Sequence, residues 1–254
     1  MMRSAHVVVE RKESCAVVTI DRPPLNVLDG ETMVELTEVI KELSADAAFH
    51  MVAIRGAGRC FSAGADVAEH LPPEVDKMLR VLRELLLAID AVPIPTLAAV
   101  HGMTLGGGLE VALATDRRIA TADAKLGNPE IQLGVIAPAA AVLLPDLIGA
   151  GPALRFLTTG TEVTANQALA MGLVDQVVAV GEIEAAILAE AASLAKRSRS
   201  ALVATKKAVR MGAVASDLRD RLEAAEGLYL NDVARSPDGI AGLTAFLERR
   251  RKSG

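Results

Sequence analysis

A run of three glycines opening a helix and followed by a glutamate, Leu105-Gly106-Gly107-Gly108-Leu109-Glu110, constrains this chain more than any other feature. Glycines let another group approach the backbone closely, and the first turn of a helix presents N–H groups that have no partner within the helix. The run therefore offers an anion site one short step from a carboxylate. A second exposed turn is expected at Phe61-Ser62-Ala63-Gly64-Ala65-Asp66, and a second acid follows in Gly127-Asn128-Pro129-Glu130. Backbone donors facing two carboxylates can polarise a carbonyl while protons move beside it.

Around these segments the elements alternate. Val7–Glu10 and Ala16–Ile20 read as a hairpin joined by Arg11–Ser14. Asp29 is the expected N-cap of a helix over Glu31–Leu43, with Met33, Leu36, Val39, Ile40 and Leu43 on one face. Strands are expected at Met51–Arg55, Thr96–Val100, Arg117–Ala120 and Val174–Val180, and a helix at Val75–Ala91. Gly160 and Gly172 close helices over Pro152–Thr158 and Thr164–Met171. From Ile183 the pattern is helical to the end, with Ser236-Pro237 opening the last helix. The pattern is α/β: a strand-rich core over residues 1–198 and a helical arm over 199–254.

Composition removes several function classes. With Lys+Arg 27 against Asp+Glu 32 and 2% aromatic residues, the chain lacks the basic face and exposed rings of a nucleic-acid binder. No apolar run is long enough to span a bilayer, so no membrane partner is expected. Met1–His6 leads directly into a strand and has no signal-peptide shape. Cys15 and Cys60 fit no metal spacing and read as reduced thiols of a cytoplasmic protein. His6, His50, His70 and His101 form no recognisable pair with an activated serine, which argues against a peptidase. His101 and Asp116 read as structural residues, and Asp66 as an acid that ties its own loop.

Phe61–Asp66, Ala99-Val100-His101-Gly102 with Leu105–Glu110, Asp116–Ala120, Leu126–Gly134 and Thr159–Val177 together resemble the crotonase superfamily, the enoyl-CoA hydratases and isomerases. The likeness runs from Asp21-Arg22-Pro23 to Phe246-Leu247-Glu248-Arg249. It implies a crotonase-type spiral of strand–strand–helix units with a helical C-terminal oligomerisation arm, assembled as a homotrimer or dimer of trimers. It also implies an acyl-CoA thioester substrate, with coenzyme A brought in by the substrate and no metal or other cofactor. By the same resemblance the N–H groups of Ala65 and Gly107 form an oxyanion hole. Ala63 and Asp66 meet the adenine end of coenzyme A, and Phe246 and Arg249 contact it from the arm, often that of a neighbouring subunit. Glu110 positions and activates water, and Glu130 exchanges the α proton. Two acids so close would titrate as a coupled pair.

The resulting expectation is reversible hydration of an α,β-unsaturated acyl-CoA. A double-bond isomerase is the alternative, and generally needs only the acid at the Glu130 position. Leu133–Pro145 is more apolar than the family's usual proline- and glycine-rich stretch, and resembles the branch acting on cyclic dienoyl-CoA thioesters.

Overall fold

The computed structural model describes residues 2–213 and 217–253. Its main sheet has seven strands in the order β1 (Met2–Arg3), β2 (Val7–Lys12), β3 (Cys15–Ile20), β4 (Met51–Gly56), β5 (Thr96–Val100), β7 (Arg117–Thr121) and β10 (Gln176–Val178). β1, β2 and β3 pair antiparallel, and from β3 to β10 every pairing is parallel. Three short strands, β6 (Met103–Leu105), β8 (Lys125–Gly127) and β9 (Val163–Thr164), form a second sheet.

β3, Cys-Ala-Val-Val-Thr-Ile, is buried at every position because the sheet is covered on both faces. Ala16, Val18 and Ile20 face the main core. Cys15 and Val17 face a smaller cluster that includes Ile187 and Ala191 of α7 (Ile183–Ala195). The main core is built by α1 (Gly30–Ala45) and α2 (Val75–Asp90), which bury Met33, Leu36 and Ile40 against Leu79, Leu82 and Leu86. Asp29 caps α1, accepting from Thr32 N at 2.9 Å, and also pairs with Arg22. Both cysteines are free and buried, and burial pushes the Cys15 thiol up to about 12.

α3 (Gly107–Leu113) follows β6. Next come α4 (Pro138–Ile148), α5 (Ala150–Thr159) and α6 (Ala165–Met171). A capping box between Thr164 and Gln167 opens α6. The C-terminal part contains α8 (Arg199–Ala213), α9 (Leu218–Leu228), a π turn over Tyr229–Val233 and α10 (Pro237–Ser253). It docks on the rest through ion pairs. Lys206 Nζ reaches Asp116 at 2.6 Å, Arg83 reaches Glu226 at 2.6 Å, and Arg221 reaches Asp146 at 2.8 Å. Residues 214–216 and 254 of the expected arm lie outside the described residues.

The expected elements differ from the observed ones mainly at their ends. The last core strand narrows from Val174–Val180 to Gln176–Val178, since only that stretch finds a partner, on β7. The short strands β6, β8 and β9 carry too few residues for an alternating pattern to register.

Candidate active site

The Phe61–Asp66 loop is held along the chain segment that enters α3. Phe61 N donates to His101 O at 2.8 Å, Ser62 N to Met103 O at 3.2 Å, and Leu105 N to Ser62 O at 3.0 Å. Residues 25–28 hold its other side: Ala63 N donates to Leu25 O at 3.0 Å, and Leu28 N to Gly64 O at 2.9 Å. Asn26, in the left-handed region at φ 52°, is buried. Its Nδ2 donates to Ala57 O and Cys60 O at 2.9 Å and to Phe61 O at 3.2 Å. One side chain thus fixes three carbonyls over residues 57–61, the segment that leads into the loop.

This lacing brings Ala65 beside Gly107, where a methyl group built on Gly107 would lie 3.2 Å from Ala65 N. Among the described residues neither N–H donates to a protein acceptor. Gly107 is the first residue of α3, so its N–H carries the positive end of the helix. Gly106 stands at φ 50°, and a Cβ there would meet Glu130 Oε1 at 2.7 Å. Only glycine both turns the chain into α3 and leaves Glu130 its place.

Glu110, 3% exposed, rises from the first turn of α3 and accepts from Ala140 N at 2.9 Å. Ala140 lies in the first turn of α4, whose own N-cap residue, Ala137, supplies no side-chain bond. Glu110 therefore caps a helix other than its own. Burial raises its pKa to about 7, against the pull of the Ala140 and Ala139 N–H groups. Glu130 belongs to the 3₁₀ turn Pro129–Leu133. Burial, then the negative charge of Glu110, raises it to about 8. Its Oε1 lies 3.5 Å from Asn128 Nδ2, and its buried Oε2 has no hydrogen-bond partner among the described residues. Asn128 does not cap that turn with its side chain; the amide faces Glu130 and Gly106 O instead.

Ala63, Ala65, Gly107, Glu110 and Glu130 line one cavity of about 70 Å³. Its remaining wall is largely apolar, with Met78, Leu82, Leu133, Ile136 and Pro138, and α10 contributes Leu243. Asp66, Phe246 and Arg249 are not among the lining residues. Asp66 accepts from Ala68 N at 3.0 Å and caps the 3₁₀ turn Val67–His70. Phe246 is half-buried and Arg249 exposed, both on α10.

His101 Nε2 lies 3.2 Å from Gly58 O, and Asp116 accepts from Thr96 N at 2.8 Å, both structural bonds. Among the described residues no group of three or more His, Cys, Asp or Glu is placed to hold a metal ion, and no helix is long and apolar enough to cross a membrane.

Sequence reasoning missed Asn26, the α4 amides and two further lining residues, His70 and Tyr229. Tyr229 is the single tyrosine of the chain, but it follows a charged helix whose pattern gives no local sign of a site.

Residues 10–253 match the family model described as Enoyl-CoA hydratase/isomerase. The cyclohexa-1,5-dienecarbonyl-CoA hydratase of Thauera aromatica is 36% identical over 242 residues, covering 95% of this chain and 93% of its own. The crotonyl-CoA hydratase of Syntrophomonas wolfei is 32% identical over 256 residues, covering 98% of each. Among solved structures, an enoyl-CoA hydratase/isomerase from Xanthobacter autotrophicus Py2 superposes with a TM-score of 0.88 at 30% identity, covering 99% of both chains.

Proposed function

The chain belongs to the enoyl-CoA hydratase/isomerase family, and from that premise we propose that it adds water reversibly across the double bond of a short α,β-unsaturated acyl-CoA. One observation carries this reading: two buried glutamates with raised pKa values share a cavity with two uncommitted backbone N–H groups.

The thioester oxygen sits between the Ala65 and Gly107 N–H groups. As water bonds to the β carbon, the π electrons move toward that oxygen, where the donors stabilise the enolate. One such donor is worth about 2.7–4 kcal/mol in the transition state. Glu110 as carboxylate takes the proton of the attacking water, and protonated Glu130 delivers a proton to the α carbon as the carbonyl reforms. Atoms balance: water supplies OH to one carbon and a proton to the pair, and the pair supplies a proton to the other carbon. The environments suit this division. The α4 N-terminus favours the charged form of Glu110, while Glu110 itself disfavours charge on Glu130.

Hydration leaves the electron count unchanged, so coenzyme A within the substrate is the only cofactor the reading calls for. The backbone around Ala63 and Asp66 would meet its adenine end, and Phe246 and Arg249 would reach it from the arm. In this reading the enzyme works in the cytoplasm as a homotrimer or dimer of trimers. The exposed Leu154 (65%) on α5 and Leu169 on α6 support a subunit contact there.

A second reading, hydration of a cyclic dienoyl-CoA, is favoured by the Thauera aromatica relative and by the apolar Val135–Pro138 wall. A cavity of roughly 150 Å³ admits benzene, so about 70 Å³ favours a short linear chain. Loss of enoyl absorbance across linear, branched and cyclic unsaturated CoA thioesters tests both. Turnover of none, with double-bond migration instead, would make the chain an isomerase.

A further inference from the structure

Tyr229 follows α9 at the start of the π turn and lines the same cavity as the two glutamates. It is 1% exposed, and its buried hydroxyl has no hydrogen-bond partner among the described residues. A phenol can both donate and accept, and leaving it unmatched in the interior opposes folding. Its ring edge meets His70, with centroids 6.3 Å apart and planes at 62°. His70 is itself fixed by an Nδ1 hydrogen bond to Asp66 O at 3.0 Å. The ring is therefore positioned by its surroundings, while the hydroxyl is uncommitted. Burial, then the negative charge of Glu130 and of Glu110, holds the phenol in its neutral, donating form.

The proposed reaction leaves one role for such a donor. The thioester oxygen is taken by Ala65 and Gly107, and a simple acyl chain carries no other heteroatom until water adds. The one other oxygen that enters this cavity is the one bonded to the β carbon. We propose that the Tyr229 hydroxyl donates a hydrogen bond to the oxygen at the β carbon, holding the attacking water and, in reverse, the departing hydroxyl in line with Glu110. The inference rests on the hydration reading, and it makes Tyr229 a second polar contact on the reacting oxygen, beside Glu110. It also gives the arm of the same chain a part in the chemistry.

Tyr229→Phe keeps the ring against His70 and removes only the hydroxyl. The test compares the affinities of wild type and variant for a short 3-hydroxyacyl-CoA and for the matching saturated acyl-CoA by titration calorimetry, with kcat for hydration alongside. The expected result is an approximately tenfold weaker 3-hydroxyacyl-CoA complex, the size of one hydrogen bond, with saturated acyl-CoA bound as before and kcat lowered. An unchanged ratio of the two affinities overturns the proposal whatever kcat does. Tyr229→Met, which refills the space with a flexible apolar chain, carries the same expectation should the Phe variant fold poorly. Failure of the hydration reading looks different: there the wild type itself hydrates no enoyl-CoA and does not prefer the hydroxylated thioester.

Discussion

Glu110 Oε1 accepts from Ala140 N at 2.9 Å, so an acid on α3 closes the N-terminus of α4. The bond ties the reactivity of Glu110 to the position of a helix that also forms the apolar wall. Glu110→Ala leaves the α4 amides without their acceptor and should lower stability by about 0.5–2 kcal/mol, the usual loss for a missing cap. Glu110→Gln keeps an oxygen acceptor and should lose little. Urea unfolding of both variants checks this; equal losses would mean that the bond contributes nothing to the fold.

Glu110 and Glu130 both titrate above the ordinary carboxylate value of 4.5, because burial disfavours their charged forms. The folded protein thus holds protons that the unfolded chain releases. Their stabilising contribution is complete below about pH 4.5 and is lost as pH climbs through about 7 and 8. Melting temperature should fall between about pH 4.5 and pH 8, and Glu130→Gln should flatten that fall. A variant slope equal to wild type would remove Glu130 as a contributor.

Hydration needs one acid charged and the other protonated, so kcat should follow a bell in pH. Its two limbs belong to the coupled pair and not to either residue alone. In Glu130→Gln the alkaline limb should disappear from whatever activity remains, read from a pH–rate profile.

Asn26→Ala removes three hydrogen bonds to the carbonyls of Ala57, Cys60 and Phe61. Leaving buried carbonyls unmatched costs about 1–3 kcal/mol. The loop carrying Ala65 should also loosen, so kcat should drop without any change at the acids. Proteolysis near Gly58 (at φ 69°, just before this loop) in the variant but not in wild type would report the loosening.

Gly106→Ala places a methyl group 2.7 Å from Glu130 Oε1 and strains a backbone at φ 50°. The acid must move, so activity should fall by at least about tenfold, while α1 and the main sheet stay intact by circular dichroism. Full activity would show that Glu130 does not need its observed place.

Much of this was legible in the chain. The glycine run and the acids at 110 and 130 stand out because each carries its own local signal, a helix start or a turn. α1 and α2 declare themselves through regular apolar spacing, and Asp29 and Ser236 through capping. What stayed hidden depends on distant neighbours. Nothing around Asn26 says that its amide will reach the carbonyls of residues 57–61, and nothing in Pro138–Ala140 says that the helix will be capped by Glu110. Tyr229 sits in an ordinary helical pattern, and only the packing of the arm against α2 and the Val67–His70 turn makes it part of the cavity wall.

The most direct test of the central claim follows Glu110→Gln through two assays on one short enoyl-CoA: hydration, and exchange of the α proton of the matching saturated thioester with solvent. Hydration should fall about 10²–10⁴-fold, the loss of a general base, while exchange through Glu130 persists. Hydration at the wild-type rate in this variant would contradict that claim.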